Sequence, residues 1–546
     1  MHLTERRPMC RSRVEIKQKT RSGTMSHALF DLTGRFISNR RSFLLGSGAI
    51  GAGLLAPGLL ARSARAATPG TVTYALSAYP PNLRPFEHSG AAARTIKMLL
   101  FRGLVTFNSE GKIQPELAES WELTDPRTYL FKLRANAKFQ NGEPVTADDV
   151  KASFDAIRAE KSTAYLRQYF QEIEKIEAVG PKTVRITLKR ATPSFIAVLA
   201  SPHAPIVFSK QMDKPEAMIG AGPYKLESSE KGVSLVFKAR TDFYKPGLPK
   251  TENLRFVVYA DDSLRVAALE AGDVDIIEYV PAQSMKSLSE KPGIQMQSAL
   301  GLFMYMVFNL KQGPFTNPLV RRAVAHAINR EDLVKGAFQG FGKALDGVPL
   351  PEGSPYRVSE LEHLWPYDPD RAKALLKEAG AENVQATLLA TSTYSFHKDP
   401  AEIIQAQLSS IGMNIKLSLP EWGVRVSQGN EGRYHFAING GASELGDPDE
   451  LTSLLGSGGE SYRRSVGLAD PKLDDLLLHG RYESDQAKRV QIYADLQRAV
   501  QEITPVTFLN YRTQAYALHD GVKDFKSLPD FLINQSGIAF DEVYIG

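Results

Sequence analysis

Apolar and polar positions along the chain switch between a period of two and a period near 3.6, and the switches mark its elements. Thr71-Val-Thr-Tyr-Ala-Leu76 reads as an opening strand, ended by Pro80-Pro81. Tyr129-Leu-Phe-Lys-Leu133 alternates as a strand should, after the turn Thr124-Asp-Pro126. Thr146-Ala-Asp-Asp149 supplies a helix cap and a capping-box acid, and Val150, Phe154 and Ile157 then fall on one helical stripe. Asn317-Pro318 caps a further helix whose buried face is Val320, Val324, Ala327 and Ile328. Leu473, Leu476 and Leu477 form the same kind of face after Asp470-Pro471. Strand-like and helix-like stretches alternate throughout, which predicts an α/β architecture. No repeat, low-complexity tract or flexible linker interrupts them. The structural units must therefore be joined by strands that cross directly from one to the next.

Length and charge narrow the function. A chain of 546 residues has room for two to four units with ample core. Its net charge of +5 is local: residues 1–66 hold 12 Lys/Arg and 3 Asp/Glu, so they carry +9 and leave −4 on the rest. A body at −4 offers no electrostatic footprint for a phosphate backbone, and no nucleic-acid partner is expected.

Those first 66 residues read as an export leader. Arg35, Arg40 and Arg41 precede a Gly-rich apolar run from Phe43 to Leu60, and Ala64-Arg65-Ala66 presents the small residues that signal peptidase accepts. The pair Arg40-Arg41 before Ser42-Phe43-Leu44 resembles a twin-arginine signal, with Asn39 and Leu45 departing from its usual neighbours. Glycines and the adjacent cleavage site argue for a cleaved signal over a membrane anchor. Residues 1–24 precede a second methionine, Met25, as an alternative start. Cys10 is the one cysteine and lies upstream of the cut. The mature chain is therefore expected to have no disulfide, thiolate nucleophile or lipid anchor, and to be a soluble periplasmic protein.

Catalytic and cofactor motifs do not carry the chain. Gly46-Ser-Gly48-Ala-Ile-Gly51 matches a dinucleotide fingerprint but sits inside the leader, with no strand before it. The histidines are scattered singly, and none pair at metal-ligand spacing. No cofactor or metal is expected, and no enzyme activity.

Several longer motifs together resemble the family 5 solute-binding proteins of ABC importers, the peptide, opine and nickel type. They begin with Pro115-Glu-Leu-Ala-Glu-Ser-Trp121, Lys138-Phe-Gln-Asn-Gly142 through Asp149, Gly222-Pro223-Tyr224 and Ala268-Leu-Glu-Ala-Gly272-Asp-Val-Asp275. Phe308-Asn309, Val320-Arg321-Arg322 through Asn329, Tyr367-Asp368-Pro369 and Ile411-Gly412 continue the family's order to the C-terminal part. The resemblance implies a two-lobed type II periplasmic binding fold with a small extra subdomain on lobe one. Lobe one would hold residues 67–300 and the return 511–546, and lobe two residues 301–510. Trp121 would be a core anchor, and Arg321-Arg322 a solvated helix face.

The resemblance also implies the role: a monomer that captures a peptide-like or amine-bearing organic solute, such as an oligopeptide or opine, by hinge closure. It would hand that solute to an inner-membrane ABC permease and its ATPase. An exported hydrolase of small peptides or esters is the competing class. Glu421-Trp422-Gly423 and Asn439 through Asp449 are similar to the cleft-facing segment of lobe two. Glu444 stands where peptide-binding relatives place the acid that takes the ligand's ammonium, with Asp447 and Glu421 as the next acids. Trp422, Tyr394 and Phe396, with Tyr462, offer aromatic walls. Two departures stand out. Gly441 replaces a common Trp, which predicts an enlarged or softer wall. The segment Thr391–Pro400 contains no Arg to clamp a carboxylate, and Lys398 or His397 compensates only partly. A strict dipeptide ligand is therefore not expected.

Overall fold

The computed structural model describes residues 70–87, 89–108, 112–214, 217–350, 354–442, 446–458, 462–526 and 540–546. The leader with Arg40, Arg41, Ala64 and Ala66 lies outside the described residues, and so does Glu444. All described residues belong to one compact unit.

Two long strands, Ile294–Phe308 and Val506–His519, pair antiparallel and run through both halves of the molecule. On one side their sheet continues through Ile276–Ile277, Thr71–Leu76, Asn253–Val258, Ser234–Ala239 and Tyr224–Glu230. On the other it continues through Phe436–Gly441, Gln385–Leu389 and Asn414–Ser418. The expected lobe boundaries near 300 and 510 fall within the two long strands, close to a register shift between Leu300 and Leu302. The two halves of the sheet are thus joined by a pair of hydrogen-bonded strands.

The apolar run in the first of these strands shows why it can be continuous. Met304, Met306 and Phe308 face one core cluster of lobe two, and Phe303, Tyr305 and Val307 face another. A strand covered on both faces has no polar side to spare. Lobe one has its own clusters, one of which extends into a separate four-stranded sheet of Ala118–Asp125, Thr128–Leu133, Thr183–Leu188 and Ile173–Gly180. That sheet is the small extra subdomain.

The predicted helices form where their caps stand. Thr146 and Asp149 make the reciprocal capping box of Ala147–Arg158, which buries Val150, Phe154 and Ile157. Asn317 caps Pro318–Ala327, and Ile328 is already the residue that ends that helix. Asp470 caps Pro471–Tyr482. Two sequence expectations fare differently. Trp121 is half-buried, packed against the large lobe-one cluster. Arg321 is not on a solvated face: it is buried and donates to the carbonyls of Ile503, Thr504, Phe315 and Thr316. It satisfies the open end of the helix Gln486–Ile503, and burial lowers its pKa to about 10. Among the described residues no helix is long and apolar enough to cross a membrane.

Candidate functional site

Where the two long strands enter lobe two, the lobes face each other across a cavity of about 150 Å³. Lobe one contributes Ser77, Tyr79, Arg94 and Tyr279; lobe two contributes Tyr394, Phe396, His397, Trp422, Gly441, Tyr462 and Arg463. Arg512 reaches in from the long strand Val506–His519.

Tyr394 and Phe396 stand at the start of the helix Ser395–Ser410. Their rings stack at 5.0 Å, Phe396 stacks on Tyr279 of lobe one at 5.5 Å, and Trp422 meets Tyr394 edge-on at 5.2 Å. Trp422 opens the helix Trp422–Asn430, and its amide donates to Thr393 Oγ1 at 3.0 Å. Three of the aromatic residues singled out from the sequence therefore line one wall. The acids fall elsewhere. Glu421 caps the Trp422 helix through the amides of Gly423 and Val424. Asp447 caps the short turn Pro448–Leu451, accepts from Nη1 and Nη2 of Arg489 at 2.8 and 2.6 Å, and is not among the described lining residues. Lys398 faces Glu402 on the outer surface.

Gly441 lines the cavity but does not open its wall. A Cβ there would stand 2.6 Å from the ring of Phe303, so the space expected from the missing Trp is filled by Phe303.

The described charged groups that line the cavity are arginines, and sequence reasoning missed all three. Arg512 is 6% exposed; its guanidinium lies 4.2 Å above Phe396 and 5.5 Å from Tyr279, a cation between two rings from opposite lobes. It donates to Gln514 at 2.8 Å, its Nε has no partner, and none of its described partners is a carboxylate. Burial lowers its pKa. Arg463 hydrogen-bonds the Tyr165 hydroxyl of lobe one, and burial together with Arg94 lowers its pKa to about 10. Arg94, on the helix Ala91–Leu100, is itself buried. Burial, with Arg425 and Arg512 nearby, pushes the His397 pKa well below the usual imidazole value. Desolvated arginines lining an aromatic-walled cavity favour an anion there. The signal available in the sequence was a lone charged residue, Arg512, in the otherwise uncharged stretch Phe508–Leu518.

Behind the cavity, Glu278 of lobe one is buried and accepts from the Ser77 amide and hydroxyl at 2.8 and 2.7 Å and from the Tyr74 hydroxyl at 3.1 Å. Burial raises its pKa against those hydrogen bonds.

The lobes also touch beyond the cavity. At the hinge side Ser395 donates to Asp262 at 2.9 Å. At the outer rim Ser194 of the small subdomain donates to Asp449 of lobe two at 2.9 Å, and Arg481 pairs with the other oxygen of that carboxylate at 2.9 Å. Arg190 lies 3.5 Å over the ring of Tyr482.

Residues 112–463 match the bacterial extracellular solute-binding proteins, family 5 middle. The glutathione-binding protein GsiB of Escherichia coli K12 is 29% identical over 478 residues, covering 84% of this chain and 91% of that protein. Among solved structures, the periplasmic binding protein AgaA of A. tumefaciens R10, in complex with agropinic acid, is similar with a TM-score of 0.83. It is 37% identical and covers 87% of this chain and 99% of its own. The periplasmic binding protein DppA of Helicobacter pylori, in complex with the peptide STSA, gives 0.79 at 25% identity, with 87% and 98% covered.

Proposed function

The chain belongs to the bacterial extracellular solute-binding proteins of family 5, and we propose that its solute is an amine-bearing organic acid, peptide-like or opine-like, whose carboxylate meets Arg512. It is the substrate-binding component of an ABC importer. We place it in the periplasm after removal of its leader, handing the solute unchanged to an inner-membrane permease rather than acting on it chemically. Relatives that bind glutathione, a tetrapeptide and agropinic acid support an organic acid of this kind.

The observation that carries the reading is Arg512: a buried cation between rings of the two lobes, with no carboxylate among its described partners. A ligand carboxylate would complete it and touch both lobes at once. Differential contact with the closed arrangement is what lets a ligand drive closure. Micromolar capture needs about 8 kcal/mol, within reach of one charge-assisted pair plus aromatic burial after the costs of association. Glu444 remains our candidate for the ammonium of the same solute.

Calorimetric titration of the solute that copurifies with the protein tests the reading. Arg512→Gln is expected to weaken binding by about 2–4 kcal/mol, roughly thirty- to a thousand-fold. Arg512→Met should do the same while leaving the melting temperature of the ligand-free protein unchanged or higher, since it removes a buried charge that has no acid to pair with. Glu444→Gln should lose a similar factor, with Glu360→Gln on the surface as the control. Parental affinity in both Arg512 variants would show that the carboxylate is bound elsewhere or absent.

A further inference from the structure

Among the described residues, four other than glycine have a positive φ: Tyr279, Gln339, Thr504 and Asp524. Gln339 and Thr504 each end a helix, where that conformation is ordinary. Tyr279 ends none, and it is the one of the four that lines the cavity between the lobes. At φ 49° a bulky side chain crowds its own backbone, so a tyrosine stays there only where its surroundings hold it.

Arg265 supplies the hold. It stands on the helix Asp262–Ala271 and is fully buried. Its Nε donates to the Glu278 carbonyl and its Nη2 to the Tyr279 carbonyl, both at 2.9 Å, while Nη1 donates to the Tyr259 carbonyl at 2.8 Å. The φ of Tyr279 is the torsion between the carbonyl carbons of Glu278 and Tyr279. One planar guanidinium that holds both oxygens therefore sets it. Asp262 orients that guanidinium through Oδ1, and its Oδ2 accepts from Ser395 of lobe two at 2.9 Å. Ser395 lies between Tyr394 and Phe396, and Phe396 is the ring on which Tyr279 stacks.

We propose that Arg265 is a positioning residue for closure of the lobes: it keeps Tyr279 in the left-handed conformation that aims its ring at Phe396 and Arg512, and through Asp262 and Ser395 it ties that backbone to the lobe carrying Phe396. The inference rests on hinge closure and not on the carboxylate reading of Arg512. Released, residue 279 would relax to a negative φ, and its Cα–Cβ bond would swing away. The lobes would then lose a stack that forms only when they meet, and contacts made only in the closed arrangement are what bias closure.

Fluorine NMR of the whole ligand-free protein, labelled with fluorotyrosine, tests this. The Tyr279 signal is the one lost in Tyr279→Phe, and it is expected well away from free fluorotyrosine because the ring lies against Phe396 and Arg512. Arg265→Lys keeps the charge but cannot fork to both carbonyls. It should return the signal most of the way to the free position and enlarge the ligand-free radius of gyration. Ser395→Ala should move the same signal from the opposite lobe, by less. A parent signal at the free position, or one that stays put in a folded Arg265→Lys, would overturn the proposal and leave Arg265 as packing alone. A moved signal with an unchanged radius would overturn the link to closure, and a signal that Ser395→Ala leaves in place would overturn the tie to lobe two. Should Arg265→Lys fail to fold, Asp262→Asn removes the charge that orients Arg265 and reads the same signal.

Tyr279→Gly and Tyr279→Ala check the backbone itself. Glycine takes a positive φ without strain and alanine does not, so the glycine variant should melt at or above the alanine variant, the reverse of their usual order. An alanine variant that melts clearly higher would show that residue 279 is not held left-handed. None of these measurements uses the solute, so they stand or fall apart from the carboxylate reading.

Discussion

At the scale of single residues, the cleft is organised around ionisable groups whose surroundings work against their charge. Glu278 is the clearest. Its folded pKa lies above the usual carboxylate value because desolvation outweighs its three hydrogen bonds. A carboxyl with a raised folded pKa contributes stability that is fully present below its unfolded pKa and is lost as pH rises through the folded one. Glu278→Gln keeps the shape and can still accept from Ser77. It is therefore expected to flatten the loss of stability above the ordinary carboxylate range, read as melting temperature against pH from 4 to 8. A variant whose profile runs parallel to the parent's would mean that the native group is ionised throughout. Residues of this kind were poorly legible in the sequence. The aromatic wall of Tyr394, Phe396 and Trp422 could be named because aromatic side chains advertise themselves locally. Arg94, Arg463 and Arg512 come from three distant segments, and their meaning depends on which carboxylates surround them, which only the folded chain decides.

At the scale of elements, caps and periodicity were enough to place the helices beginning at Ala147, Pro318 and Pro471, because each is fixed by contacts within a few residues. What escaped were positions ruled by another element's backbone. Gly222 opens the Gly-Pro-Tyr motif, and its amide donates to the Leu100 carbonyl at 2.9 Å at the end of the helix Ala91–Leu100. A Cβ there would collide with the carbonyl groups of Leu99 and Leu100, and backbone cannot swing aside as a side chain can. Gly222→Ala is accordingly expected to destabilise by about 3 kcal/mol, at the upper end of overpacking costs. Gly458→Ala, where no atom of the described residues lies within 4 Å, should stay within about 0.5 kcal/mol. Denaturant midpoints for the pair check this; equal midpoints would show that the helix end yields. Gly441 follows the same logic with the opposite lesson. Read from the sequence, it promised an enlarged cleft, yet the glycine exists so that Phe303 can come close.

At the scale of the whole molecule, capture depends on the balance between open and closed lobes, and the contacts that bias it lie at both ends of the cleft. The two long strands form the hinge, and Ser395 with Asp262 tethers that side. The far side is closed by the small subdomain, where Ser194 reaches Asp449 while Arg481 holds the other oxygen of that carboxylate. This latch touches neither the inner cavity nor Arg512, so it can shift affinity without altering any ligand contact. Ser194→Ala removes one hydrogen bond to a buried carboxylate and leaves the Arg481 pair within lobe two intact. A bond to a charged group is worth about 1.5–3 kcal/mol net. Present only when the lobes meet, it favours the closed population by that amount, and apparent affinity falls with the fraction able to bind. Ser194→Ala should therefore weaken binding by roughly ten- to a hundred-fold. Its saturated form should reach the parent's radius of gyration, while its ligand-free form scatters as a more open particle. Scattering and calorimetry on one sample separate the possibilities: weaker binding with an unchanged ligand-free radius would place the effect of Ser194 in the site itself, and unchanged affinity would mean that the rim contact forms after capture is complete.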